Sequence, residues 1–117
     1  MSTNAGDTNA LIELAVESWR LSRQFIRSLD LKEASVAQRQ SGQIRYFQKR
    51  LDDILAEQGL RIINLEGQPY EAGSAVTGLN TGDFGADDRL IIEQMIEPTI
   101  MDNNGVRRLG TAMLRKS

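Results

Sequence analysis

The rhythm of apolar and polar positions changes near Gly59. Ahead of it, Leu11, Leu14, Ala15, Ser18, Ser22, Phe25 and Leu29 recur at steps of three and four, the repeat that puts side chains on one face of a helix. Ile12, Trp19, Leu21 and Ile26 widen that face beyond what one neighbour can cover. A narrower stripe follows at Ile44, Phe47, Leu51 and Ile54, flanked by Leu55, while Arg45, Gln48, Lys49, Asp52 and Asp53 fall on the other side. Asp7 or Thr8 can cap the first helix, because a short side-chain oxygen accepts from first-turn amides. Gly59 can stop the last one, because glycine accepts the left-handed backbone that ends helices. Two breaks between the stripes compete. Asp30 with Glu33 would form a capping box, but Ser41-Gly42 is the stronger local breaker, so the reading is a helix from about residue 8 to the high thirties, a turn at Gln40 to Gly42, and a helix from about 43 to 58.

Beyond Gly59 the punctuation is different. Eight of the ten glycines and both prolines, Pro69 and Pro98, lie from Gly59 onward, which favours short strands and tight turns. Expected strands are Leu60 to Asn64, Leu90 to Ile96, Thr99 to Met101 and Gly110 to Leu114. Asn104-Gly105 is the strongest turn signal and would pair the strand before it with the one ending at Leu114. Gly73 to Asp87 reads as an ordered surface loop anchored by Val76, Leu79 and Phe84. The fold class is therefore α+β: residues 1–7 frayed, 8–58 a helical hairpin, 59–117 a small all-β domain.

Composition narrows the function. With 40% hydrophobic and 26% charged residues the chain is globular, and 117 residues suit one core or one core with an appendage. Fourteen basic residues against sixteen acidic ones leave a net charge of −2, so nothing motivates a nucleic-acid partner. Arg20, Arg23 and Arg27 form one polar helix edge and are read as a solvated or partner-facing stripe. Histidine and cysteine are both absent, which removes disulfides, thiol nucleophiles, Ser-His-Asp triads and nearly all zinc sites. Asp83, Asp87 and Asp88 with Glu71 lack the fixed spacing of a calcium loop and read as solvated acids. No catalytic residue, metal or cofactor is expected. No run approaches the ~20 apolar residues that cross a bilayer, and the N-terminus lacks a signal-peptide pattern, so no membrane partner and a cytoplasmic location are expected.

The order of motifs from Ser41 to Lys116 resembles the C-terminal part of the GrpE family, the nucleotide-exchange factors of DnaK-type chaperones. Gly42, Ile44, Phe47, Leu51-Asp52-Asp53-Ile54-Leu55 and Gln58-Gly59-Leu60 look like the family's short helix and its Gly-hydrophobic exit. Pro69-Tyr70-Glu71 is similar to its Pro-hydrophobic-acidic step. Ile91-Ile92-Glu93, Thr99-Ile100-Met101 and Asn104-Gly105-Val106-Arg107-Arg108 resemble its terminal hairpin, and Ile26-Arg27-Ser28-Leu29-Asp30 is a weaker echo in the first helix. The departures are local. Ala72 to Val76 replaces a histidine-containing segment, Glu97-Pro98-Thr99 replaces a Gln-Lys-Gly-Tyr turn, and Arg107-Arg108-Leu109-Gly110 replaces a hydrophobic-Arg-Pro step. Only about seven residues precede the first stripe, so the family's long helical stalk is expected to be missing.

The resemblance implies a homodimer with a four-helix bundle, and a β domain that binds the ATPase domain of a DnaK-type chaperone and promotes ADP release without bond-making. A lone helical pair cannot bury the wide first stripe, which independently favours a dimer with Leu14, Leu21, Phe25, Phe47, Leu51 and Ile54 in its core. By position in the family's contact strands, Met95, Arg107, Arg108 and Leu114 are the expected partner-binding residues. Core packing for Met95 and a solvated hairpin charge for Arg108 are the competing readings. The altered segments leave a second function open: a GrpE-like binding and dimerisation module for a divergent partner, without exchange activity.

Overall fold

A computed structural model describes residues 5–29 and 32–117. Two 24-residue helices, α1 (Ala5–Ser28) and α2 (Ala34–Glu57), are followed by seven strands: β1 (Arg61–Ile63), β2 (Pro69–Tyr70), β3 (Val76–Gly78), β4 (Leu90–Glu97), β5 (Thr99–Asp102), β6 (Gly105–Arg108) and β7 (Gly110–Lys116). The chain forms two compact units that divide between Gly59 and Leu60. The fold is α+β, two helices followed by a small mixed β-sheet domain.

In the helical unit the break falls earlier than the glycine suggests. α1 ends at Ser28, and α2 begins at Ala34 and runs through Ser41-Gly42 without interruption. Gly42 costs an interior helix about 1 kcal/mol, too little to stop one flanked by the good helix formers Ala37, Gln38, Arg39 and Gln40 and continued by the Ile44, Phe47, Leu51, Ile54 stripe. The capping-box alternative is correct in place but not in chemistry: Glu33 is the N-cap without a side-chain cap bond, and Asp30 lies outside the described residues. The N-terminus also differs from expectation. Residues 5–7 are helical, so Asp7 and Thr8 lie inside α1 rather than capping it, and residues 1–4 of the expected frayed segment lie outside the described residues. Gly59, with φ of 71°, ends α2 as expected.

The β unit is built on one bent ribbon. β4 pairs antiparallel with β7 from Leu90↔Lys116 to Glu97↔Thr111, and its continuation β5 pairs with β6 from Ile100↔Arg108 to Asp102↔Gly105. The Asn104-Gly105 turn therefore joins β5 to β6, not directly to β7 as expected; the chain changes sheet at Leu109 before β7 begins. Pro98 marks the matching change on the other arm, where an absent N–H leaves no ladder bond unmade. β1 completes a three-stranded sheet in the order β1-β5-β6, and β2 and β3 flank a four-stranded sheet in the order β2-β4-β7-β3. β3 runs parallel to β7, so this sheet is mixed. β3 also corrects the expected loop, since Val76 is buried in a strand while Leu79 is exposed instead of anchoring.

Side chains hold the corner and the edges. Thr99, fully buried, donates its hydroxyl to the Ala75 carbonyl at 2.6 Å and accepts from the Gly110 N–H at 3.1 Å. A Cβ at Gly110 would sit 2.6 Å from the Glu97 carbonyl oxygen, so only glycine lets the arms approach here. Asn80 acts as a one-residue strand: its amide donates to the Leu114 carbonyl at 2.9 Å and accepts from the Leu114 N–H at 2.8 Å, extending the short β3 along β7. On the other edge, Gln68 and Gly67 pair with Ile92, and the Glu66 carboxylate accepts from the Met95 N–H at 2.8 Å. The edge of β4 beyond the two-residue β2 is thus covered, which blunts strand addition there.

Candidate partner-binding surfaces

The two arginines of β6 were expected to face a partner. Consecutive strand residues project to opposite faces, and each arginine meets its own carboxylate. Arg107 pairs with Asp102 at 3.2 Å across the turn, and Arg108 pairs with Glu97 at 3.3 Å at the corner. Glu97 also accepts from the Thr111 hydroxyl at 3.1 Å, so the guanidinium of Arg108 is positioned by a carboxylate that is itself held. Asp102 accepts from the Asn104 N–H at 2.7 Å; this bond first, and then the Arg107 guanidinium, hold its carboxyl below the ordinary aspartate range. Both arginines remain partly exposed and present ordered positive charge.

Met95 and Leu114 are placed differently. They are 1% and 2% exposed, Met95 beside Gly110 and Leu114 beside Gly78, inside the β unit. The inward phase of β4 and β7 puts them in the core, so direct contact with a partner through these side chains is corrected to core packing. The accessible part of the expected set is Arg107 and Arg108.

The helical unit carries an apolar groove. α1 has two stripes: Ile12, Ala15, Val16, Trp19 and Ser22 are buried, while Leu14 and Leu21 are 64% and 68% exposed and Phe25 is 42% exposed. α2 repeats the division, with Ile44 and Leu55 buried and Phe47 and Ile54 43% and 41% exposed. Leu51 lies between these extremes. Leu21, Phe25, Ile44 and Phe47 line a groove of about 460 Å³ between the helices, with Gln40, Gln43, Ser18 and Ser22 among them. The opposed segments, 18–25 of α1 and 40–47 of α2, meet as antiparallel neighbours after a short connection. Ser22 donates to the Trp19 carbonyl, and the Oε1 of Gln40 is buried without a hydrogen-bond partner. The arginine edge of α1 is engaged locally, Arg20 with Glu17 at 3.2 Å and Arg23 over the Trp19 ring at 5.0 Å.

A more polar cleft of about 750 Å³ lies in the β unit beside Tyr70, Glu71, Phe84 and Asp88. Asp88 there accepts from the Gly85 N–H at 2.7 Å and stands 3.8 Å from Lys116. Among the described residues no three acidic, histidine or cysteine side chains gather as a metal-binding group, and no helix is long and apolar enough to cross a membrane. No family model, curated protein or solved structure matches the chain.

Asp102 and Asn80 carry no expectation in the sequence, and Glu97 and Gln40 enter there only as turn residues, not as site residues. Gln40 had a legible signal, since it continues the steps of Ile44, Phe47, Leu51 and Ile54 by one earlier position. Asn80 had none: its role depends on a strand thirty-four residues away.

Proposed function

We propose that the chain is a GrpE-like, non-enzymatic co-chaperone of the cytoplasm. It pairs as a homodimer through its helices and uses its β unit to bind the ATPase domain of a DnaK-type chaperone and promote ADP release. The supporting observation is the division of labour along the chain. An apolar-faced helical pair is followed by a β unit whose last ribbon presents Arg107 and Arg108, in the order that resembles the family. The mechanism is differential binding: a β unit with higher affinity for the open ATPase domain than for the nucleotide-closed one shifts the population toward opening and release.

The dimer has its own support. The exposed Leu14, Leu21, Phe25, Phe47 and Ile54 present on the order of 500 Å² of apolar surface on one copy. Two copies would bury about twice that, near the ~1,000 Å² expected of a specific interface. Packing two hairpins face to face makes a four-helix bundle and covers both helices at once.

A second reading is favoured by a specific observation: with Met95 and Leu114 enclosed, the contact set reduces to two arginines already paired with carboxylates. In that reading the same body serves a divergent partner and exchanges no nucleotide. Arg108→Glu tests the contact, and the double exchange Glu97→Arg with Arg108→Glu controls for the corner. If Arg108 faces the chaperone, both variants lose binding to the ATPase domain at least tenfold. Recovery in the double variant would confine Arg108 to a structural role.

A further inference from the structure

We propose that Asn104 is a site of spontaneous chemical modification, its side-chain amide lost to the nitrogen of Gly105, and that the clasp made by Asp102 within the hairpin turn sets the rate. Of the asparagines in the chain, Asn104 alone is followed by glycine. The Gly105 nitrogen attacks the side-chain carbonyl carbon of Asn104 and closes a cyclic imide; the side-chain nitrogen leaves as ammonia, carrying off the Gly105 proton. Water then opens the ring at one of its two carbonyls, leaving either aspartate or the isomer whose backbone runs through the side chain. A side chain on the following residue would crowd the attacking nitrogen, and glycine has none.

Asn103 and Asn104 are exposed at the tip between β5 and β6, and a Cβ at Gly105 would meet nothing within 4 Å, so the neighbours leave the reacting atoms room. The other described asparagines lack the glycine, and most lack the freedom. Asn9 lies inside α1, the Asn64 side-chain oxygen accepts from the Glu66 N–H at 3.0 Å, and the Asn80 amide is spent on Leu114. What restrains Asn104 is its own turn. Ring closure rotates the backbone between Asn104 and Gly105 out of the turn, so the tip must first open locally. The Asp102 carboxylate opposes that opening: it accepts from the Asn104 N–H at 2.7 Å and is itself held by Arg107 at 3.2 Å. Its negative charge also lies beside the Gly105 N–H and disfavours loss of that proton, the step that makes the nitrogen a nucleophile. Reaction adds a carboxylate to a turn that already holds Asp102, and the extra backbone carbon of the isomer disrupts the Asp102↔Gly105 pairing. Neither consequence depends on what the β unit binds.

The test is peptide mapping of the full chain after incubation for days in mildly alkaline buffer. Trypsin cuts after Arg89 and Arg107, so one peptide carries both turn asparagines, and fragment masses with isoaspartate-specific methylation assign the product to a residue. Conversion at Asn104 is expected to run roughly tenfold or more ahead of Asn103 and the other asparagines, because only there does no side chain crowd the attack. Asp102→Ala is expected to convert about fivefold faster than wild type, the effect of losing one charge-assisted bond at an exposed site. Asn104→Gln should give no product at that position. If Asp102→Ala unfolds the β unit, the wild type in guanidinium makes the same comparison, and its rate should exceed the folded rate by at least as much. Conversion at Asn104 no faster than at Asn103 would overturn the site. A folded Asp102→Ala that converts at the wild-type rate would overturn the clasp, as would equal rates for the folded and the denatured wild type.

Discussion

The two units of this chain solve the problem of covering apolar surface in opposite ways. In the β unit, Ile92, Met95, Ile100, Ala112 and Leu114 are nearly inaccessible, and the places where strands are too short are completed by the side chains of Asn80, Thr99 and Glu66. In the helical unit, large apolar side chains of both helices are left in solvent around a groove that also holds the Gln40 amide, whose oxygen is buried without a hydrogen-bond partner. Strands with a fixed two-residue alternation bury one phase completely once a second layer or an edge cover exists. Two helices present a curved face wider than one contact, and what their mutual packing leaves over is available to something else. Under the proposed function, the β unit would recognise its partner by charge and the helices would pair by apolar burial.

Substitutions can break this contrast at chosen points. The largest effect is expected at the β corner: Gly110→Ala forces a Cβ against the Glu97 carbonyl and the Thr99 nitrogen and should destabilise the β unit by about 3 kcal/mol in urea unfolding, without creating any helical defect. Asn80→Ala should follow, at about 2 kcal/mol, because it removes two bonds and leaves the Leu114 backbone unpaired. On the helices the same class of change should act on association instead. Phe25→Ala, at a partly exposed position, should shift the unfolding of a dilute monomer by under ~1 kcal/mol but weaken dimerisation by about 2 kcal/mol, or thirtyfold, in sedimentation equilibrium. A loss of monomer stability as large as that at Gly110 would erase the contrast. Gly42→Ala should stabilise α2 by about 0.5–1 kcal/mol, since a Cβ there meets nothing within 4 Å.

The smallest effect concerns pH. Asp102 has a lowered pKa in the folded turn, so its contribution is present above the ordinary aspartate value and lost as pH falls through the folded value. An NMR titration should place its midpoint below that of an unstructured aspartate. In Asp102→Asn this titration should be absent and Arg107, having lost its carboxylate, should loosen.

How much of this was legible follows from the range of the interactions involved. β1, β4, β5 and β7 fall on the expected segments because local apolar runs bounded by turn residues define them. β2 and β3, two and three residues long, carry no period of their own and exist because β4 and β7 offer them an edge. The helix break was misplaced because Gly42 is a local signal that the surrounding helix overrides, while Leu29 to Glu33 contains neither glycine nor proline. The exposed stripe was visible in Leu14, Leu21, Phe25, Phe47 and Ile54. Periodicity alone did not separate it from the buried stripe of Ile12, Ala15, Val16 and Trp19, which shares its repeat at another angle. For the candidate surface, Arg107 and Arg108 were visible as charges next to a turn, but their carboxylate partners depend on the bend of the ribbon. Met95 and Leu114 were misread because matching a contact strand by position does not fix which phase of that strand points inward.

The central claim is that this body opens the nucleotide site of a DnaK-type chaperone, and release of fluorescently labelled ADP from the ATPase domain of such a chaperone measures it directly. With the wild-type chain at tens of micromolar, release should accelerate at least tenfold, and the acceleration should be lost in the Glu97→Arg, Arg108→Glu double variant. An unchanged release rate across a panel of DnaK-type chaperones would contradict it.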